Sequence, residues 1–195
     1  LLRKVNKTAH DQYDLIALNP EYKTIQANEN MRTRARFKQI ITPSDFYLHQ
    51  RFMREDIPPL FGLEFNKGLW EQGHVYPKAI NKQILLVTIN KRNHGKEHRY
   101  HDYFIDSQTF HWQSQNRSSP GNSFGQKIIN HESDRSDVHL FVRKHKMAGK
   151  KAAPFVYLGQ LAYKEHSGAK PMNVTWKMAE PLPMHLNDEF IQDDL

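Results

Sequence analysis

The sequence contains no cysteine and no long apolar run, and both absences narrow the classes of protein to consider. Without cysteine, the 195-residue chain can form neither disulfides nor zinc–thiolate sites, and it has no thiol nucleophile. No run approaches the about 18 apolar residues that a membrane-spanning helix needs. The first residues also lack a charged stretch followed by an apolar one, so we expect no secretory signal, no membrane partner and a cytoplasmic protein.

Enzyme motifs are scarce as well. P-loop, Gly-x-Gly-x-x-Gly and nucleophile-elbow strings are absent, so we expect a binding domain without cofactor or catalytic residues. One string, His94-Gly95-Lys96-Glu97-His98, fits the H-x-x-E-H pattern of zinc metalloproteases. That mechanism requires both histidines on one helical face, whereas Gly95 lies between two strand-like runs and indicates a turn. We therefore expect no metal site, and a metal-dependent hydrolase using His94, Glu97 and His98 remains an alternative.

The charge balance points to an anionic partner. Lysine and arginine number 28 against 21 aspartates and glutamates, which gives a formal charge of +7 and a pI near 9.5. Nucleic acid is the commonest partner for a protein this basic. Because the chain begins at Leu1 rather than at a methionine, we expect it to be part of a longer protein.

The chain divides near a pair of prolines into a helical segment, 1–56, and a second domain, 57–195. Thr42 can cap a helix and Pro43 suits its first position, which predicts a helix that runs to about Glu55. Helices are expected only in this N-terminal part.

After the prolines the pattern changes to short strands. The candidate strands are Ile84–Ile89, Tyr100–Ile105, Thr109–Ser114, Val138–Lys144, Phe155–Tyr163 and Met172–Met178. The last of them alternates, with Met172, Val174, Trp176 and Met178 expected on one face. The residues from 117 to 125 are rich in Ser, Pro, Gly and Asn and predict a surface loop. We therefore predict a mainly β (α+β) fold with a strongly curved antiparallel sheet or barrel.

Aromatic rings alternate with amide and carboxylate groups on two of these strands. A flipped nucleobase needs a flat ring to stack on and a hydrogen-bonding group at its Watson–Crick edge. Trp112 offers the largest ring, and the Asp102 carboxylate can accept from the amino group of cytosine. The candidate base-binding residues are Tyr100, Asp102, Tyr103, Phe110, Trp112, Gln113 and Ser114. The alternative is that these aromatics pack a core, as aromatics on strands commonly do.

Basic residues near these strands are candidate contacts to DNA phosphates, although such a residue is more often a solvated charge than a contact. They are Lys91, Arg92, Lys96, Arg117, Arg143, Lys144, Lys146, Lys150 and Lys151.

Several of these segments together resemble a known family. They are Ile57–Gly62, Trp70–Gly73, Leu85–Lys91, Tyr100–Tyr103, Phe110–Asn116, Phe141–Arg143, Leu158–Gly159 and Pro171–Trp176. Over about residues 57–180 the chain resembles a helicase-associated domain, formerly of unknown function, at the C-terminus of bacterial superfamily-two helicases. In SauUSI-type modification-dependent (type IV) restriction enzymes this domain follows a phospholipase-D-like nuclease and an ATP-driven translocase.

The order of features also resembles the SRA domains, which flip 5-methylcytosine and have an SRA/PUA-like curved barrel. On that pattern Tyr100 and Trp112 match the two stacking aromatics, and Asp102 matches the carboxylate that reads the cytosine amino group. This sequence departs from the pattern because the polar run Gln113–Asn116 replaces a glycine-rich loop.

The resemblance implies a DNA-recognition domain that flips 5-methylcytosine or 5-hydroxymethylcytosine in duplex DNA. Its expected partners are double-stranded DNA containing modified cytosine and the helicase and nuclease domains of a parent ATP-dependent restriction endonuclease. The alternative is a coupling module of a helicase without base recognition of its own.

Overall fold

The computed structural model describes residues 3–6, 12–14, 47–90 and 102–191, and the chain divides into two compact units, 1–48 and 49–195. In the first unit, strands β1 (Arg3–Asn6) and β2 (Gln12–Asp14) form a two-stranded antiparallel sheet.

The second unit consists mainly of strands. They are β3 (Arg51–Phe52), β4 (His74–Val75), β5 (Lys82–Asn90), β6 (Tyr103–Phe104), β7 (Thr109–Gln113), β8 (Asp137–His145), β9 (Met147–Ala148), β10 (Lys151–Ala152), β11 (Phe155–Ser167) and β12 (Asn173–Met178). The helices are α1 (Ile57–Leu60), α2 (Lys67–Trp70), α3 (Ser123–Ile129) and α4 (Met184–Phe190), and a 3₁₀ helix covers Arg54–Asp56. Within the ranges described, no helix has the length and apolar character needed to cross a membrane.

One eight-stranded sheet organises this unit and confirms the predicted mainly β (α+β) fold. The strand order is β4-β5-β8-β11-β12-β7-β6, and β3 pairs with β11 outside this order. The expectation of a wholly antiparallel sheet is wrong, because β5 and β8 run parallel, with Lys82 opposite Asp137 and Thr88 opposite Arg143. Parallel neighbours need a long crossover connection. Residues 91–136 provide it and carry β6, β7 and α3.

The helix predictions need two corrections. Between residues 47 and 55 the predicted helix is wrong, because Arg51–Phe52 is a strand paired with β11; the helix start at residue 42 lies outside the described residues. Helices are also not confined to the N-terminal part, since α3 and α4 follow the first sheet strands. The Asn122 side chain accepts from the backbone N–H of Gly125 and caps α3, within the stretch predicted as a loop.

The inner face of the sheet carries the main hydrophobic core. Strand β12 confirms the predicted alternation, because Val174, Trp176 and Met178 are buried in this core together with Met172, while Lys177 is exposed. On the outer face, a second aromatic layer packs on β8 and β11. There the rings of Phe52 and Phe61 each lie 6.3 Å from that of Phe141.

Candidate functional site

A cavity of about 510 Å³ opens between the strands β4 and β5 on one side and β7 on the other. Its lining residues are Gly73, His74, Leu86, Val87, Thr88, Asp102, Trp112, Gln113, Gln115 and Arg117. Three strands, β8, β11 and β12, lie between β5 and β7 in the sheet order. The sheet must therefore curve strongly to bring β5 and β7 to one cavity. The volume is in the range typical of small-ligand sites.

Trp112 forms an aromatic wall of the cavity. Alternation along β7 turns its side chain to the inner face together with Phe110, and only 4 % of Trp112 is exposed. Its ring lies 5.3 Å from that of His74, edge to face. The indole is therefore a fixed wall of the cavity rather than an open stacking platform, and a planar ligand would have to enter beside it.

His74 contributes a neutral imidazole to the same wall. The amide nitrogen of Gln83 donates to the carbonyl of Lys127 (2.8 Å), which leaves the Gln83 oxygen to accept from His74 Nε2–H (2.9 Å). Burial of the ring lowers the pKa of His74 to about 4, the Gln83 hydrogen bond opposes this shift, and Arg117 and Lys127 add to it. With its proton on Nε2, the neutral ring retains Nδ1 as a hydrogen-bond acceptor.

Asp102 and Arg117 place opposite charges around the cavity. Asp102 precedes β6 and is 6 % exposed, and its carboxylate accepts from the backbone N–H of Gln113 (2.9 Å). Arg117 is exposed in the loop after β7, where its guanidinium lies 4.4 Å from the centre of the Phe124 ring and donates to the Gln72 side chain (3.3 Å). The cavity thus combines aromatic walls, a buried carboxylate and a cation exposed to solvent.

The predicted base-binding residues separate into two groups. Asp102, Trp112 and Gln113 line the cavity. Phe110 and Ser114 are fully buried, and the Ser114 hydroxyl accepts from the backbone N–H of Met172 (2.9 Å).

Tyr103 is one of the predicted residues that the cavity does not include. It is 47 % exposed and stacks on His111 at 4.6 Å, away from the cavity. Tyr100 lies outside the described residues.

The predicted phosphate contacts also differ in placement. Arg143 is 7 % exposed, and burial and the nearby Arg54 lower its pKa to about 10. Its guanidinium donates to Thr88 and to the carbonyl of Ala153, so it serves the packing of the strands.

The other predicted cations lie at the surface or beyond the described part of the chain. Lys144 is partly exposed, whereas Arg117, Lys146, Lys150 and Lys151 are exposed. Lys91, Arg92 and Lys96 lie outside the described residues, as do His94, Glu97 and His98. In the part of the chain that is described, no three His, Asp or Glu side chains gather as metal ligands would.

His74, which lines the cavity, was not predicted from the sequence, and neither was its hydrogen-bond partner Gln83, which does not line it. His74 lies on the two-residue strand β4 opposite Leu85. Neither His74 nor Gln83 belongs to a recognisable motif. The only local signal is Gln83, a polar residue directly before a buried apolar run, because such a side chain needs a partner.

The fold and the cavity define a mainly β domain with a large mixed sheet, a few short helices and a polar, aromatic-walled cavity where the sheet curves round. The chain belongs to the family described as a domain of unknown function (DUF3427), a helicase-associated domain, which matches residues 46–190. The predicted membership of a helicase-associated family is thereby confirmed, and the matched range contains every residue that lines the cavity. No curated protein matches the chain.

Proposed function

We propose that this domain binds duplex DNA and accepts a single extruded cytosine, modified at C5, in the cavity between β5 and β7. The modification would be a methyl or a hydroxymethyl group. The domain would then act as the SRA-like target-recognition domain of a SauUSI-type, ATP-dependent restriction endonuclease. One observation carries the proposal: Trp112 and Asp102, from separate segments, line the same cavity, with the cation Arg117 at its side.

The chemistry of the cavity suits a cytosine. The Asp102 carboxylate can accept from the exocyclic amino group, and a thymine, with a carbonyl at that position, would face it with an acceptor. Trp112 and the neutral His74 form the aromatic wall beside which the ring of the base would enter. Arg117 is exposed and can reach the backbone phosphate of an extruded nucleotide.

A second candidate function follows from the burial of Trp112. With 4 % exposure the indole could serve packing alone, and the domain would then couple a helicase core to other domains without reading a base. The two functions differ in whether Asp102 changes affinity for modified DNA.

The test is fluorescence anisotropy with duplexes that differ only in one cytosine, either plain, methylated or hydroxymethylated. Because burial of one methyl group contributes about 0.8 kcal/mol and pocket fit adds to it, we expect a preference of about 10- to 200-fold for modified DNA. In Asp102→Asn the side-chain oxygen still accepts from the Gln113 N–H, but the amide NH₂ faces the amino group of the base as a second donor. Cytosine should then no longer enter the cavity, and most of the preference for modified DNA should be lost.

Tyr103→Ala is the matched control, because it removes an exposed aromatic on the neighbouring strand that does not line the cavity. It should leave the preference at the wild-type value. Equal affinity of the wild-type chain for all three duplexes would refute base recognition and favour the coupling function.

A further inference from the structure

Strands β9 and β10 form a short hairpin, a separate two-stranded sheet that lies between β8 and β11 in the chain. Lys151 pairs with Ala148, and Ala152 pairs with Met147. Gly149, the first of the two turn residues, has φ +62°, whereas Lys150 is not among the residues with positive φ. This pattern is the one that a type II′ turn requires, and such turns match the twist of the strands that they connect.

The base of the hairpin is fixed next to the cavity. The backbone N–H of Ala153 donates to the carbonyl of Lys146 (3.0 Å), which closes the hairpin. From the preceding strand, Arg143 donates to the carbonyl of Ala153 (3.1 Å) and to the hydroxyl of Thr88 (2.9 Å). Thr88 itself lines the cavity. The buried arginine therefore ties the hairpin to the cavity wall.

The charge of this hairpin is entirely positive. No aspartate or glutamate occurs between residues 138 and 164. Lys146, Lys150 and Lys151 are exposed, and none of them has an ion-pair partner within the described ranges. By strand alternation Met147 lies on the opposite face of the hairpin from Ala148 and Lys151, and it exposes 49 % of its surface. A hairpin that presents cations at its turn and on one face, and an exposed apolar side chain on the other face, is suited to a polyanion that also offers apolar surface.

We propose that the β9–β10 hairpin is an arm that lies in a groove of duplex DNA and supplies affinity that is independent of sequence and modification. A two-stranded β ribbon fits the major groove, which is about 12 Å wide. The three lysines contact phosphates on both sides of the groove, and Met147 contacts sugars and base edges. The inference relies on the proposed function only for the choice of DNA as the polyanion.

The test compares two triple variants of the whole chain on an unmodified duplex. Lys146→Ala/Lys150→Ala/Lys151→Ala removes the cations of the hairpin, and Lys67→Ala/Lys78→Ala/Lys164→Ala removes the same charge from exposed positions elsewhere. The affinity falls as salt rises, and each lost phosphate contact should make the plot of log affinity against log salt less steep by about 0.9. The slope is measured between about 50 and 200 mM salt. The hairpin variant should lose about ten-fold or more in affinity at low salt and about two to three units of slope, and the control variant neither.

A third variant, Met147→Ser, removes the apolar contact without changing charge. It should weaken binding several-fold and leave the salt slope at the wild-type value. Equal losses of affinity and of salt slope in both triple variants would refute the arm. Binding of the chain to anionic lipid vesicles through these lysines, without binding to the duplex, would refute it as well.

These results are distinguishable from a failure of base recognition. A chain that binds plain and methylated duplexes equally, and loses both through the hairpin variant, would keep the arm while refuting the base-binding cavity. If the wild-type chain prefers methylated DNA and the hairpin variant binds as tightly as the wild type, the base-binding cavity is kept and the arm is refuted.

Discussion

Replacement of Gly125 by alanine should destabilise the domain by about 3 kcal/mol or more, at the upper end of the range for overpacked interiors. A β-carbon built at this position would lie 1.9 Å from the carbonyl oxygen of Ser119 and 2.9 Å from the sulfur of Met172. The first contact is with backbone, so no rotation of a side chain can relieve it. Helix α3 would have to move away from the loop that precedes it. Urea denaturation of the purified variant measures the loss.

Gly121→Ala in the same loop is the control, because nothing lies within 4 Å of a β-carbon built there. It should change the free energy of unfolding by less than about 0.5 kcal/mol. Equal stability of the two variants would show that α3 does not approach Ser119 so closely. The substitution also bears on the cavity, since the side chain of Asn122, the cap of α3, donates to the carbonyl of Arg117 (2.7 Å). A shifted α3 should therefore also displace the cation beside the cavity.

The strands could be predicted because their signals are local. The β-branched run from Ile84 and the alternation of β12 each identify a buried strand without reference to the rest of the chain. The parallel pairing of β5 with β8 could not be predicted, since it depends on which strands meet across residues 91–136. Helix α3 was missed for another reason. Its capping residue Asn122 lies in a Ser-, Pro- and Gly-rich stretch whose composition also suits a loop.

In the candidate site, too, the features with local sequence signals could be predicted and those that depend on the curvature of the sheet could not. Asp102 and Trp112 lie close in sequence, so their meeting at one cavity could be anticipated from neighbouring segments. His74 reaches them only because the sheet curves until β4 and β5 meet β7, and no pattern within a single segment reports that curvature. Phe110, in contrast, was predicted to bind the base but does not line the cavity. It shares the aromatic character of Trp112 and its face of β7, but it lies deeper in the core and is fully buried.

Acidification should destabilise the domain between about pH 6.5 and pH 4, in large part through His139. This residue is fully buried on the outer face of β8, where its Nδ1 is bonded to the Tyr157 hydroxyl (2.8 Å) and its Nε2 has no hydrogen-bond partner among the described residues. Burial, and after it the charge of Lys82, lowers the pKa of His139 to about 4, while Asp137 acts in the opposite direction.

The sign of the effect follows from proton uptake. Between about pH 6.5 and pH 4 the unfolded chain binds a proton at His139 that the folded chain does not, so stability falls as the pH falls. Above about pH 6.5 the contribution is complete, and below about pH 4 it is lost, with a total on the order of 3 kcal/mol for this one residue. His74, whose pKa is also lowered to about 4, acts in the same direction.

His139→Gln isolates this contribution, because glutamine does not titrate and its amide can still bond to the Tyr157 hydroxyl. The measurement is the free energy of unfolding in urea at pH 7 and at pH 4.5 for three chains, namely the wild type, His139→Gln and the exposed-site control His145→Gln. His139→Gln should lower stability at pH 7, where the native imidazole packs against Phe61 at 5.0 Å, but it should lose markedly less on acidification than the other two. Identical pH dependence of all three chains would mean that the imidazole takes up its proton in the folded state, and that the aromatic layer between α1 and β8 admits water.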